Sequence, residues 1–172
     1  MSKKIIIVGY MGCGKSTIAK KIAKIMDLPY LELDEIIEQR EKTAIKTIFN
    51  TKGELYFRKI EHNVFNNIIK QDNFVLSTGG GTPCYYNNHL LLQNDEVVSI
   101  YLKASIQTLF ERLVLEKTHR PLIASIDDGD LKDFIAKHLF EREYFYSHAK
   151  HIIKVDNKSI NDIVAQIKVI LA

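Results

Sequence analysis

Short apolar runs alternate along the chain with segments in which apolar residues recur every three or four positions. The run Ile5–Val8 predicts a buried strand, whereas the spacing of Ile18, Ile22 and Met26 predicts the apolar face of a helix. On these criteria the predicted strands are Ile5–Val8, Tyr30–Leu33, Phe74–Ser77, Val97–Leu102 and Ile152–Val155. The predicted helices are Lys15 to about Met26, Asp34–Glu41, Glu54–Gln71, Ser105–Glu116, Leu131 to about Ser147, and a final helix that starts near Ser159.

Strands that alternate with helices predict an α/β fold in which a mainly parallel, five-stranded sheet is flanked by helices in a three-layer sandwich. No repeat or Pro/Gly-rich linker interrupts the 172 residues, so a single domain over 1–172 is expected. Ligands of such sheets bind at the carboxyl ends of the strands. The residues that directly follow each strand are therefore the first candidates for function.

A phosphate-binding loop follows the first strand. Residues 9–16 read Gly-Tyr-Met-Gly-Cys-Gly-Lys-Ser and match the pattern G-x-x-x-x-G-K-[ST]. The glycines let backbone N–H groups approach phosphate oxygens, and the following helix points the positive end of its dipole at them. Lys15 is expected to reach the β- and γ-phosphates of ATP as a catalytic group, and the Ser16 hydroxyl to bind Mg²⁺. The predicted ATP-binding residues of the loop are Gly12, Cys13, Gly14, Lys15, Ser16 and Thr17.

Two carboxylates, Glu32 and Asp34, come at the end of the second predicted strand. Strand alternation would point both to the same face, where they would serve Mg²⁺ and an acceptor hydroxyl. The alternative is that they mark only a helix start, with Asp34 as its cap. From this pair alone the two interpretations are equal.

Two further segments are suited to a small anionic acceptor. Arg58 has Glu61 one helical turn away, and its guanidinium would bind a carboxylate through two parallel hydrogen bonds, although an ordinary surface ion pair is the alternative. Gly79, Gly80 and Gly81 directly follow the third strand. Three glycines allow a backbone to approach a ligand closely, and a loose loop is the alternative.

Taken together, these features resemble the shikimate kinase family. The phosphate loop with Met11-Gly12, the strand-end carboxylates, the G-E-x-x-F-R-x-x-E segment at 53–61 and the glycine turn occur there in this order, and the match spans essentially the whole chain. The chain departs from the family at Glu32-Leu33-Asp34, where Asp-x-Asp is usual. The longer Glu32 side chain can still meet Mg²⁺ through a water molecule.

The resemblance implies a P-loop kinase that transfers the γ-phosphoryl group of ATP to the 3-hydroxyl of shikimate, a step of chorismate and aromatic amino acid biosynthesis. It implies a substrate-binding segment at about 34–61 and a lid at about 117–130. The implied shikimate contacts are Asp34, which is also catalytic, Arg58, Gly79, Gly80, Gly81 and Arg142. The implied nucleotide contacts are the lid residue Arg120, which is also catalytic, and Arg112, Asn157 and Lys158. The implied ligands of Mg²⁺ are Ser16 and Glu32.

Composition narrows the expected partners to small molecules. The net charge of +3 indicates neither nucleic acid nor membrane as a partner, and two cysteines indicate a reducing cytoplasm. A monomer is expected from the resemblance. A GTPase is excluded because no Asp stands three positions before a glycine. The alternatives are another small-molecule kinase, such as a gluconate or nucleoside-monophosphate kinase, and a nucleotide-binding module without activity.

Overall fold

The computed structural model describes residues 3–172 and contains one five-stranded sheet. The strands are β1 (Lys4–Val8), β2 (Tyr30–Glu32), β3 (Phe74–Ser77), β4 (Val97–Lys103) and β5 (His151–Lys154). Every pair of neighbouring strands is parallel, and the order is β2-β3-β1-β4-β5. The predicted α/β sandwich is thereby confirmed, and the carboxyl ends of all five strands lie at one edge of the sheet.

Eight α-helices connect or follow the strands within residues 3–172. They are α1 (Lys15–Met26), α2 (Leu33–Glu41), α3 (Ile45–Lys52), α4 (Glu54–Ile69), α5 (Asn88–Leu91), α6 (Ile106–Glu116), α7 (Asp128–Tyr146) and α8 (Ile160–Leu171). Short 3₁₀ turns lie at Thr82–Cys84 and Lys117–His119. The helix α8 begins with the capping box of Ser159 and Asp162, in which each side chain bonds to the backbone N–H of the other residue.

The central strand β1 determines where the functional loops meet. All five of its residues are buried, as expected for a parallel strand covered on both faces. Ile6 pairs with Leu76 of β3 and with Ser99 of β4, so the three strands end at nearly the same height. The loop after β1 therefore lies beside the loop after β3, and the end of β2 lies next to both.

Two boundaries near the site differ from those predicted, and the helices α3 and α5 were not predicted at all. The strand β2 ends at Glu32, and Leu33 already belongs to α2, so Asp34 lies in the first helical turn and strand alternation does not relate it to Glu32. The eight-residue helix α3 was not predicted, although Ile45, Ile48 and Phe49 have helical spacing and pack against the core, with Ile48 fully buried. The helix α7 begins at Asp128 rather than Leu131, which makes the end of the segment 117–130 helical.

None of the helices in residues 3–172 combines the length and the apolar character required to cross a lipid bilayer.

The helix α8 provides a test of the packing. Ile167 is fully buried in the core, so Ile167→Ala is expected to lower the free energy of unfolding by about 2–5 kcal/mol through lost apolar burial and a residual cavity. Val169, on the same helix, is 78% exposed, and Val169→Ala should change stability by less than about 0.5 kcal/mol. Urea unfolding of both variants measures the difference. Equal losses would contradict the burial of this face.

Candidate active site

The phosphate loop between β1 and α1 is shaped by its glycines. Gly14 immediately precedes α1 with φ of 98°, and Gly12 has φ of 80°, so both have left-handed backbone that residues with a Cβ rarely adopt. A Cβ at Gly12 would also lie 3.0 Å from a methyl carbon of Leu113. Cys13 is buried beneath the loop, where its side chain serves packing. The loop thus presents backbone N–H groups at the start of a helix, as anion sites do.

A cavity of about 290 Å³ opens between this loop, the end of β2 and the loop after β3. Its lining combines loop glycines with charged and hydroxyl side chains, namely Met11, Gly12, Gly14, Lys15, Ser16, Thr17, Glu32, Asp34, Thr78, Gly79, Gly80, Glu116 and Arg120. The Lys15 ammonium donates a hydrogen bond to the Tyr10 carbonyl at 3.1 Å, and the Ser16 hydroxyl lies 3.4 Å from that of Ser77. Cationic groups, hydroxyls and carboxylates therefore share one compartment.

Asp34 is the carboxylate with the most perturbed titration. Burial, followed by the negative charges of Glu61 and Glu32, raises its pKa from 3.8 to about 6, while the positive charge of Lys15 acts in the opposite direction. A carboxylate with such a pKa is ionised at neutral pH and is a stronger base than an ordinary aspartate. Perturbed carboxylates in clefts are typical of acid–base sites.

Glu61 and Arg58 form a buried ion pair on α4, so the alternative of a surface pair is wrong. The side chain of Glu61 is 1% exposed, and its Oε1 accepts a hydrogen bond from Arg58 Nη1 at 2.9 Å. Its other oxygen, Oε2, accepts from the Thr82 hydroxyl at 2.9 Å. Arg58 also packs over the ring of Tyr85 at 4.1 Å, and its buried Nε makes no hydrogen bond. The guanidinium is thus fixed in place by Glu61 and Tyr85, and its Nε also lies 3.6 Å from Glu54 Oε1.

The glycine turn after β3 is enclosed by charged side chains. A Cβ at Gly79 would lie 3.0 Å from Asp34 Oδ1, and one at Gly81 would lie 2.6 Å from both terminal nitrogens of Arg58. At Gly80 a Cβ would come within 3.3 Å of Arg142 Nη1. Because a side chain at Gly81 would displace the guanidinium, close approach explains the glycines better than a loose loop does.

Glu32 and Ser16 offer oxygen ligands at the nucleotide end of the cavity. The Tyr30 hydroxyl donates a hydrogen bond to the Glu32 carboxylate and holds it at the mouth of the site. Within residues 3–172 no group of three or more His, Cys, Asp or Glu side chains could hold a metal by itself. This fits Mg²⁺, which keeps several waters and binds through one or two protein oxygens together with substrate phosphates.

The four remaining residues predicted to contact the nucleotide lie at different distances from the cavity. Arg120 lines the cavity and donates through Nε and Nη2 to Glu116 Oε2, at 2.8 and 2.6 Å. Arg112 Nη1 donates to the carbonyl of Gly12 at 3.1 Å and so touches the phosphate loop. Asn157 and Lys158 lie in the turn after β5, outside the lining of this cavity, and the Lys158 ammonium bonds to the Gln166 amide oxygen.

Comparison with known proteins identifies the family. The family model for shikimate kinase matches residues 11–172. The chain is 54% identical over 171 residues to the shikimate kinase of Flavobacterium johnsoniae, an alignment that covers 99% of both proteins. The chain belongs to the shikimate kinase family. This confirms the family that the motifs indicated.

Solved structures of the shikimate kinase family have the same architecture. The crystal structure of shikimate kinase from Bacteroides thetaiotaomicron matches with a TM-score of 0.92 and 33% identity over 99% of both chains. Shikimate kinase from Acinetobacter baumannii in complex with shikimate matches with a TM-score of 0.88 and 26% identity, over 99% of this chain and 93% of that one. The α/β P-loop fold is thus established by members of the family.

Several side chains of the site escaped sequence analysis. Thr78 precedes the glycine turn and lines the cavity, whereas Thr82 follows the turn and bonds to Glu61. Tyr146 follows Arg142 by four residues, in the segment Glu141–Tyr146, and nothing in the sequence indicated that it contacts the glycine turn. A threonine or tyrosine belongs to a site only through tertiary contacts, which the local sequence does not show. The one sequence feature that could have indicated these residues was their spacing from the motifs.

The raised pKa of Asp34 predicts that Asp34→Asn stabilises the protein at pH 8. The carboxyl has a pKa of about 6 when folded against 3.8 ordinarily, so above pH 6 folding holds a charge where it is disfavoured. Two pKa units correspond to about 3 kcal/mol, which partial solvation reduces, so a gain of about 1–3 kcal/mol in unfolding free energy is expected.

The direction of the pKa shift of Asp34 determines the pH range over which Asp34→Asn stabilises the protein. Well below pH 3.8 the carboxyl is protonated in both folded and unfolded chains, so the gain should shrink steadily as pH falls below 6 and vanish only below 3.8. Urea unfolding of wild type and Asp34→Asn at pH 8, 6 and 4.5 measures it. Glu35→Gln, at an exposed carboxyl on the same helix, is the matched control. A gain that is the same at all three values would contradict the ionisation argument.

Proposed function

We propose that this member of the shikimate kinase family transfers the γ-phosphoryl group of ATP to the 3-hydroxyl of shikimate, with Asp34 as the base. The observation that carries the proposal is that the Asp34 carboxylate shares a cavity with Lys15 and Ser16 of the phosphate loop. An acceptor hydroxyl beside Asp34 would therefore lie next to the phosphate to be transferred. Family membership supports ATP and shikimate as the two substrates.

In this proposal Asp34 accepts the proton of the acceptor hydroxyl. The hydroxyl oxygen forms a bond to the γ-phosphorus as the bond from that phosphorus to the β–γ bridging oxygen breaks, and ADP leaves with the electron pair. The pKa of Asp34 of about 6 lies near neutral pH, where a general base combines ionisation with basicity. Because phosphoryl transfer has a loose transition state, orientation by Asp34 matters as much as its basicity.

The nucleotide is held by the phosphate loop and by arginines. Backbone N–H groups of Gly12–Ser16 bind phosphate oxygens, the Lys15 ammonium neutralises the β- and γ-phosphates, and Arg120 closes over them from the lid. The residues that would hold Mg²⁺ are Ser16 and Glu32, and the ion would supply positive charge to the phosphates. Thr17 and Arg112 complete the proposed nucleotide contacts near the loop, and the adenine would lie towards Asn157 and Lys158.

The shikimate carboxylate lies between Arg58 and Arg142 in this proposal. The absence of any acidic partner for Arg142 within residues 3–172 leaves its donors for an incoming carboxylate, and Arg58, whose Nη1 pairs with Glu61, presents both terminal nitrogens beside Gly81. The backbone of Gly79–Gly81, which both guanidinium groups touch, forms the wall of the pocket. We place this activity in the cytoplasm and in a monomer, where the two unpaired cysteines are stable.

An assay of ADP release tests the acceptor. With Mg²⁺ and ATP present, release is expected to depend on shikimate and to remain at background with gluconate, with AMP and without acceptor. The carboxylate clamp and the position of Asp34 give the reason. Release with gluconate or AMP alone would overturn the acceptor assignment, and background release with every acceptor would favour a nucleotide-binding module without turnover.

Asp34→Asn tests the proposed base. The substitution removes the proton acceptor but keeps the shape of the side chain, so kcat is expected to fall about 10²–10⁴-fold. The Kd of ATP, measured by calorimetry, should change by less than about twofold because the phosphate loop is unaltered. Glu35→Gln on the same helix is the control and should retain activity. An equal loss of nucleotide affinity and turnover would argue against the role of Asp34 as base.

A further inference from the structure

The helix α7 carries Arg142 between two buried tyrosine contacts. Tyr146, one helical turn after Arg142, donates a hydrogen bond from its hydroxyl to the carbonyl of Gly80 at 2.6 Å. Its ring is fully buried and packs against Tyr101, with 5.2 Å between the ring centroids. The hydroxyl is therefore held by a rigid side chain and contacts the glycine turn directly. Small shifts of the helix would consequently move the peptide of Gly80.

The same hydroxyl also faces the guanidinium of Arg142. Burial raises the pKa of Tyr146, while the positive charge of Arg142 and a hydrogen bond from it act to lower that pKa. The net pKa lies well above neutral, so Tyr146 keeps its proton and remains a donor to Gly80. A Cβ at Gly80 would lie 3.3 Å from Arg142 Nη1 and 3.7 Å from the backbone nitrogen of Met11. Gly80 is thus packed between the arginine and the phosphate loop.

One turn before Arg142, a second tyrosine connects α7 to the phosphate loop. The hydroxyl of Tyr10 lies 2.9 Å from His138 Nδ1. Burial and the nearby Arg142 lower the pKa of His138 to about 4, and burial raises the pKa of Tyr10 to about 12. At neutral pH the tyrosine is therefore protonated and the imidazole neutral, and the two share one neutral hydrogen bond whose donor depends on the imidazole tautomer.

We infer that Tyr146 is a positioning residue for substrate binding, which acts by fixing Arg142 and the peptide of Gly80 relative to each other. The Tyr10–His138 hydrogen bond fixes the same stretch of α7 against the phosphate loop. Arg142 has no carboxylate partner within residues 3–172, so its charge stays available to the ligand, while it lies against Gly80, the residue whose carbonyl Tyr146 holds. The inference rests on the proposed function of Arg142 as a clamp on the shikimate carboxylate.

Tyr146→Phe removes the hydroxyl and keeps the buried ring. The KM and the Kd for shikimate are expected to rise about 5–10-fold, the effect of one lost hydrogen bond, because Arg142 and Gly80 are no longer held together. The kcat and the KM for ATP should stay within about twofold, since the lost contact affects binding alone. Tyr101→Phe, at a buried tyrosine that packs against Tyr146, is the matched control and should leave the KM for shikimate unchanged.

A double-variant comparison tests whether Tyr146 acts through Arg142. In an Arg142→Ala background, adding Tyr146→Phe should raise the KM for shikimate by less than about twofold, because the group it positions is gone. A full 5–10-fold rise in that background would overturn the inference, as would equal rises in the KM values for shikimate and ATP. No change in Tyr146→Phe alone would overturn it as well.

Two further measurements distinguish a loss of positioning from a loss of the fold and from a failure of the proposed function. Thermal unfolding of each variant separates positioning from loss of fold, and Tyr10→Phe provides a second route if Tyr146→Phe does not fold. Tyr10→Phe is expected to raise the KM for shikimate about 2–5-fold through the lost bond to His138, and no rise would count against the inference. Calorimetry on the wild type identifies the other failure: if wild type does not bind shikimate, the proposed function itself is wrong.

Discussion

The buried carboxylate of Glu61 is the interaction on which the acceptor side of the site depends. A buried charge is costly unless it is paired and hydrogen-bonded, and Glu61 meets this condition through Arg58 on its own helix and Thr82 beyond the glycine turn. The contact with Thr82 joins α4 to the loop after β3, and the contact with Arg58 holds the guanidinium beside that loop. Because Glu61 also raises the pKa of Asp34, the group that orders the pocket takes part in setting its chemistry.

The parallel sheet brings the two halves of the site together. Since β1 and β3 are neighbours and end at the same height, the phosphate loop and the glycine turn come out side by side. The close approach of Gly80 to Met11 and Arg142 is a direct result. A substrate held at the turn therefore lies next to a nucleotide held at the loop, and little movement is needed to align them. In phosphoryl transfer this alignment is a large part of catalysis.

The sequence was sufficient for the sheet, for the main helices and for the phosphate loop, because these depend on periodicity and on local glycine chemistry. It did not show where β2 ends, since Leu33 suits a strand or a helix and the packing of α2 decides between them. The helix α3 spans only eight residues, so the helical spacing of Ile45, Ile48 and Phe49 extends over too short a segment to stand out. The burial of Glu61 and the hydroxyl contact of Tyr146 depend on residues far apart in the chain, and no local rule predicts such contacts.

The charges of the site are balanced for two anionic substrates. In the proposed mechanism Asp34 must stay ionised to act as base, yet it lies beside Glu32 and Glu61, which by themselves would favour its protonation. The positive charge of Lys15 opposes this effect. Arg58 is already paired with Glu61, whereas Arg142 has no such partner within residues 3–172, so an incoming carboxylate would gain most from Arg142. A clamp held by neutral tyrosine contacts keeps that charge free, and this explains why Tyr146 rather than an acidic residue stands beside it.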